Sequence, residues 1–461
     1  MGQGQAAHSS PTDRASPRAR DLLPFLASLV IGAAALFGGA SRENALRLAI
    51  VELAALPLLA LTVRRALREG GERLTRLRVP LTILALIGVV PLLQLCPLPP
   101  GLWTALPGQA PRLEALRLAH LPTPWLPLSL DPGETGRMAL ALIPPAAMFL
   151  GMASLRPGQT RALTWLWIAL AAAGLVVGLA QVASPAGGPA YPYATTNLGS
   201  LVGLFANRNH EAGFLLALTP LAAAAARRSD LSSRQDASSR GWGDGRWLGY
   251  LFVLAAMVAL GVIRSRAGLV LAPPAIAATL AVGARVGGRR SGWGPAAALA
   301  AAVAAAAVAV VVSGLGPIVD RFASGASGEF RLQAWPYIAA AARAFLPLGS
   351  GLGSFDRVFE AVEPLSLVAP AYFNHAHNDY LELWLETGWI GAAILALFAL
   401  WFLAASVRAW RSGDDLARAA SAGVVLLLAQ SAVDYPLRTE ALAVLFAFCC
   451  GLLASPDHRR R

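Results

Sequence analysis

Apolar runs of roughly 17–25 residues, each long enough to cross a hydrocarbon layer about 30 Å thick, recur along almost the whole of this 461-residue chain. No polar stretch between them is long enough to form a soluble domain of about 100 residues. The residues are 56% hydrophobic and only 14% charged. Backbone groups in a bilayer must be satisfied internally, so the pattern predicts an all-α polytopic membrane protein with about 12 transmembrane helices. The spans are expected to begin near Leu22, Asn44, Val79, Arg137, Ala162, His210, Trp247, Ala267, Gly294, Gly388, Ala419 and Leu437. Cys96, Cys449 and Cys450 lie in apolar text without a CxxC pair and read as small hydrophobes.

The net charge of +12 comes from arginine, for the chain contains no lysine. That balance could suggest nucleic acid, but the arginines alternate between links. They gather before Leu22, after the second run (Arg64 to Arg78), at Arg156 and Arg161, from Arg227 to Arg246, from Arg285 to Arg290, from Arg408 to Arg418, and in the tail from Arg459. Placing those links in the cytoplasm gives an even number of spans with both termini inside. It leaves two long loops outside, about Pro97 to Glu134 and about Gly314 to Thr387. Residues 1–21 are expected to be a disordered cytoplasmic leader.

On this topology four polar clusters fall at the non-cytoplasmic face: Asn207-Arg208-Asn209-His210-Glu211, Arg264-Ser265-Arg266, His375 to Glu382, and Asp434-Tyr435-Pro436-Leu437-Arg438. Arg208, Arg264, Arg266 and Arg438 run against the arginine trend, which calls for a local reason such as an anionic ligand. A guanidinium offers a planar fork of donors to a diphosphate. Asp379 followed by Glu382 has the spacing of an N-cap and its third-position acid, predicting a helix from Tyr380. His375 and His377 would precede that helix start, where an anion is favoured and an imidazole can take a proton from a hydroxyl. His375-Ala376-His377-Asn378-Asp379 also has the composition of a metal site. Arg331 to Pro347 reads as an amphipathic stretch on the membrane surface, Gly349 to Gly353 as a flexible turn, and Trp103, Trp125, Trp335, Trp384 and Trp389 as interfacial anchors.

Phe205 to His210, Ser265 to Gly268, His375 to Glu382 with Glu386-Thr387-Gly388, and Asp434 to Arg438 together resemble the O-antigen ligase and polymerase superfamily. Arg331, Trp335 and Pro347 through Phe355 are similar to the text upstream of the histidine motif in that family. The resemblance covers roughly Leu201 to Arg438; earlier residues match in hydropathy alone. It implies a GT-C-like catalytic region at 201–438, including an external loop at 314–387 with short helices. Helices at 22–200 would precede it, and a last helix with a basic tail would follow at 439–461. It further implies a bacterial inner-membrane glycosyltransferase acting at the periplasmic face, metal-independent and inverting, with no cofactor. The donor would be an undecaprenyl diphosphate-linked glycan and the acceptor another glycan, lipid A core or a protein; membrane lipids surround the enzyme, and nucleic acid is not a partner. The essential residues of the family map onto Arg208, Arg266 and His377. His375, Asn207, Asn209, Asn378, Asp379, Glu382, Arg264, Arg331 and Arg438 would surround the substrate, with Glu382 and Glu386 as second-choice bases. About 12 spans also describe a secondary transporter or flippase of lipid-linked glycans, although transporters place charge inside their spans. Here the span middles are nearly uncharged.

Overall fold

The computed structural model of the chain describes residues 17–40, 44–69, 71–184, 187–227, 246–284, 326–368 and 372–455. It is mostly helical. Helices α1 (Pro17–Phe37), α2 (Ala45–Glu69) and α3 (Gly71–Leu95) lead into a segment where β1 (Pro97–Leu98) pairs antiparallel with β2 (Leu126–Pro127). Between the two strands lie α4 (Pro100–Trp103) and α5 (Ala110–Leu118). Then follow α6 (Pro132–Ala141), α7 (Ile143–Met152), α8 (Pro157–Ala183), α9 (Arg208–Ala225), α10 (Arg246–Ile263) and α11 (Arg266–Ala284). The last elements are α12 (Ala326–Ala344), α13 (Phe355–Val362), α14 (Asp379–Ser412), α15 (Asp415–Ser431), a short 3-10 turn (Pro436–Arg438) and α16 (Glu440–Ala454).

Among the described residues, five helical stretches are long and apolar enough to cross a membrane: Ala45–Arg68, Leu77–Leu95, Pro132–Met152, Pro157–Ala183 and Asp379–Ser412. Four shorter apolar helices stand beside them, Leu22–Phe37, Trp247–Ile263, Arg266–Val282 and Glu440–Ala454. The described residues therefore carry fewer full-length apolar helices than the 12 spans expected, because several expected spans form helices too short or too polar to qualify. The expected span from Gly294 lies outside the described residues. Most of the leader does too, and α1 begins within its last residues, at Pro17.

Helix α9 is the centre of the bundle. Every residue from His210 to Ala225 is buried, and α8, α10, α11 and α15 pack around it. Small side chains allow that crowding: a Cβ on Gly249 of α10 would lie 2.7 Å from the Ala222 carbonyl oxygen of α9. Trp167 meets Phe214 and Phe448 edge-on at 5.7 and 6.4 Å, tying α8 and α16 to the same core. At the C-terminal end of α9, Arg161 donates to the carbonyls of Ala225 and Arg227, while Arg227 pairs with Asp415 at 3.3 Å. Arginines sorted to alternate links thus meet at one end of the bundle. They satisfy the carbonyls a helix terminus leaves open.

A second, smaller core joins α12 and α13 to the start of α14 through Ile338, Phe355, Phe359, Leu367 and Leu385. The apolar face of α12, expected on the membrane surface, turns into this core. Trp103 is also no interfacial anchor: it is fully buried, and its indole donates to Pro124 O at 2.9 Å. Cys96 sits exposed in a bend just past α3, while Cys449 and Cys450 are buried as expected.

The run Gly349 to Gly353 is not a loose turn. Gly349, Gly351 and Gly353 all have left-handed φ, 84°, 110° and 82°. Ser350 N and Gly351 N donate to the carbonyls of Leu385 and Glu386, both at 3.0 Å, where α14 breaks at Gly388 (φ 57°, ψ −141°). Gln94 fastens the same junction, donating to Glu386 O and accepting from Leu352 N, both at 2.9 Å. A Cβ on Gly388 would lie 2.2 Å from Pro347 O. Gly388→Ala is therefore expected to destabilise the protein by at least about 1–3 kcal/mol. A fall in Tm of the detergent-solubilised protein would show this; an unchanged Tm would mean that the break is not held by glycine.

Candidate active site

The N-terminal ends of four helices meet at the end of the bundle opposite Arg161. Ser265 caps α11, accepting from Gly268 N at 3.1 Å, and its hydroxyl donates to Asn209 Oδ1 at 2.8 Å. Asn209, in the first turn of α9, donates through Nδ2 to Asp434 Oδ2 at 2.7 Å. Asp434 Oδ1 lies 3.0 Å from His377 Nδ1 in the loop that leads into α14. His210 of α9 bonds Thr439, the N-cap residue of α16, at 2.8 Å. All four polar clusters of the sequence are thus joined by side-chain hydrogen bonds. Arg208 and Arg266 each adjoin a member of this network in the chain, Asn209 and Ser265, and His377 is a member itself.

The histidine loop is pinned on both sides. Trp335 Nε1 of α12 donates to Ala376 O at 3.0 Å, and Ala376 N donates to Glu382 Oε2 at 2.7 Å. His375 Nδ1 sits 2.8 Å from Glu382 Oε1. His377 and Arg264 hold left-handed φ values of 49° and 55°. Such values are uncommon outside glycine and persist where surrounding contacts dictate them, often at functional sites.

Asp434 is fully buried, and three donors converge on its two oxygens: His377 Nδ1, Asn209 Nδ2 and Tyr435 N. Burial alone would raise its carboxyl; the His377 hydrogen bond opposes that, the charge of Arg331 adds to the opposition, and the carboxyl lies well below the carboxylate range. Burial pushes the His377 imidazole below its ordinary value; the Asp434 hydrogen bond opposes that shift, and the charge of Arg331 adds to it. Near neutral pH the pair is a neutral imidazole donating Nδ1–H to a carboxylate, with the Nε2 lone pair left as a base. The His377 side chain is 11% exposed, which leaves an edge open to a ligand.

Several expected substrate residues are engaged by the protein itself. Asn378, not Asp379, is the N-cap of α14, its Oδ1 accepting from Tyr380 N and Leu381 N at 3.1 Å. Asp379 turns aside to accept from Ser431 at 2.7 Å. Asn207 caps α9 through Asn209 N at 2.9 Å. Arg438, expected to face an anionic ligand, is held by carboxylates: Glu386 at 2.7 Å, Glu382 at 3.2 Å and Asp379 at 3.8 Å. The same pairing takes Glu382 and Glu386, both fully buried, out of the role of bases. Arg208 and Arg266 open α9 and α11, Arg264 lies in the link before α11, and Arg331 acts on the dyad through its charge. Among the described residues, no group of three or more His, Cys, Asp and Glu is disposed to hold a metal ion. Asp434 and Tyr435 gained no role of their own from the sequence. Their signal was the placement of an acid-aromatic pair in a short link between two apolar helices.

Residues 250–396 match the family model described as O-antigen ligase. That stretch includes Ser265, Arg266, the glycine turn and both loop histidines; Arg208 and Asp434 lie on either side of it. No curated protein matches the chain. The matched stretch, less than half of the chain, supports the resemblance to the O-antigen ligase and polymerase superfamily that the sequence motifs carry.

Proposed function

We propose that this protein transfers a glycan from undecaprenyl diphosphate to an acceptor hydroxyl, on a saccharide or lipid A core, at the periplasmic face of the inner membrane. The single observation that carries the reading is the His377–Asp434 pair, set where the N-terminal ends of α9, α11, α14 and α16 converge. In this reading His377 Nε2 takes the proton of the acceptor hydroxyl as its oxygen bonds to the anomeric carbon of the donor glycan. The bond from that carbon to the diphosphate oxygen breaks, with inversion, and the electron pair leaves on the diphosphate. Asp434 holds the imidazole in the tautomer that exposes Nε2 and stabilises the imidazolium that forms. Arg208 and Arg266, at two of the helix starts, stabilise the charge growing on the departing diphosphate, aided by backbone N–H groups.

The test uses the full-length protein in nanodiscs with an undecaprenyl diphosphate-linked oligosaccharide. Lipid A–core and excess lipid-linked glycan serve as acceptors, and release of undecaprenyl diphosphate is followed. His377→Ala is expected to lower kcat about 10²–10⁴-fold while donor still binds. Arg208→Lys keeps the charge but loses the planar fork, and is expected not to restore transfer. Wild-type rates in His377→Ala would discard this mechanism. Movement of lipid-linked glycan between leaflets without transfer would install a flippase instead.

A further inference from the structure

Among the described residues, Tyr435 is the one aromatic ring that all three site histidines touch. His375 lies 4.2 Å from it between ring centroids, tilted by 41°; His377 lies at 4.9 Å and 62°, and His210 at 4.9 Å and 87°. The phenol oxygen accepts from Asn374 Nδ2 at 3.4 Å and also bonds the Asn207 side chain. The ring is 3% exposed, its hydroxyl stays protonated with a pKa pushed up to about 12 by burial and the Asp434 charge, and it follows Asp434 directly in the chain. One side chain therefore touches α9, the histidine loop and the carboxylate link together.

We propose that Tyr435 is a positioning residue for transfer: its ring fixes the planes of His375 and His377 and keeps water from the His377–Asp434 hydrogen bond. This rests on His377 acting as the base. Imidazoles held edge-on or tilted against an aromatic face have few other orientations; the loop that carries them is anchored through Ala376 and Glu382, and the His377 ring is held at one nitrogen by Asp434. The groups bearing on His377 are Asp434 from the α15–α16 link, Arg331 from α12 and His375 from its own loop; His210 of α9 bears on the Asp434 end of the pair. Tyr435 is the neutral group packed among them. Without the ring, His377 would be oriented by its Asp434 hydrogen bond alone, and water would reach it.

Tyr435→Leu is tested in the nanodisc assay across pH. Its kcat is expected to fall about 10²-fold, the loss that a 1 Å misplacement can bring, with the donor KM unchanged. Burial lowers the His377 pKa, so hydration raises it, and the acid limb of the kcat profile should move to higher pH. That shift is read on active molecules and does not depend on how much protein folds. Tyr435→Phe, which keeps the ring, is expected to restore the limb and most of kcat. Should Leu give too little folded enzyme, Tyr435→Met is read in the same way. An unmoved limb with wild-type kcat in the Leu variant, or no rescue by Phe, overturns the proposal. His377→Ala in the same assay separates the two ideas. If it transfers at the wild-type rate, the base assignment has failed; if it is silent while Tyr435→Leu is normal, only the positioning role has.

Discussion

Asp434→Asn is expected to lower kcat for glycan transfer about 10²–10⁴-fold while leaving the donor KM and the folded state largely intact. The reason lies in the donor count. His377 Nδ1 and Tyr435 N both point at Oδ1, and Asn209 Nδ2 points at Oδ2. A carboxylate accepts from all sides, whereas an amide has one oxygen and one NH₂ group. With the amide oxygen turned to His377, the new NH₂ faces the NH₂ of Asn209. Asn209 cannot simply flip, because its own oxygen takes the Ser265 hydroxyl. Turned the other way, the amide offers a donor to His377 and favours the tautomer whose Nε2 carries the proton, which cannot act as a base. The pH profile gives an independent sign. Asp434 raises the His377 pKa against the lowering by burial. Transfer needs neutral His377 and is lost as pH falls through its folded pKa. Removing the carboxylate charge lowers that pKa further, so the acid limb should move to lower pH, opposite to the shift expected for Tyr435→Leu. A limb that stays in place with a normal rate would detach Asp434 from His377.

What could be read from the sequence divides along local and distant physics. Apolar helices begin close to most of the expected span starts, because hydropathy is local and lipid or protein burial both demand it. The meeting of four polar clusters was legible for a related reason: polar groups are scarce here, and those at one face of a helical bundle have few places to go. The helix start before Tyr380 was displaced by one residue, since Asn378 and Asp379 can both cap, and Ser431 and Arg438, far along the chain, draw Asp379 away. The glycine turn looked flexible because its partners, Gln94 and the broken turn of α14, are remote in sequence. Trp103 gave no sign of burial, since the Pro124 carbonyl that its indole meets belongs to a loop without hydrophobic periodicity. Tyr435 looked like part of a link because ring–ring packing leaves no trace in spacing.

Arg438 is where distant partners changed a role, and its substitution separates the two readings sharply. As a ligand-facing arginine, Arg438→Met would leave a folded protein that binds donor poorly. In the structure the guanidinium sits among Glu382, Glu386 and Asp379, at 3.2, 2.7 and 3.8 Å. Glu382 and Glu386 are fully buried, so the variant would strand two carboxylates in a dry interior. Breaking a buried pair by removing one partner costs about 3–5 kcal/mol. The expected result is a large loss of folded protein or a steep drop in Tm, before any question of activity. The damage would also spread, because Glu382 holds His375 and the Ala376 amide, and Glu386 Oε1 accepts from Gly353 N at 2.9 Å in the glycine turn. Neutralising the stranded charges supplies the control. Arg438→Met combined with Glu382→Gln and Glu386→Gln removes the unpaired charges and keeps hydrogen-bonding side chains at both positions, so folding should recover in part. If the single variant instead melts like the wild type and the triple variant is no better, the carboxylates are not what Arg438 serves, and it returns to the set of groups that meet the diphosphate.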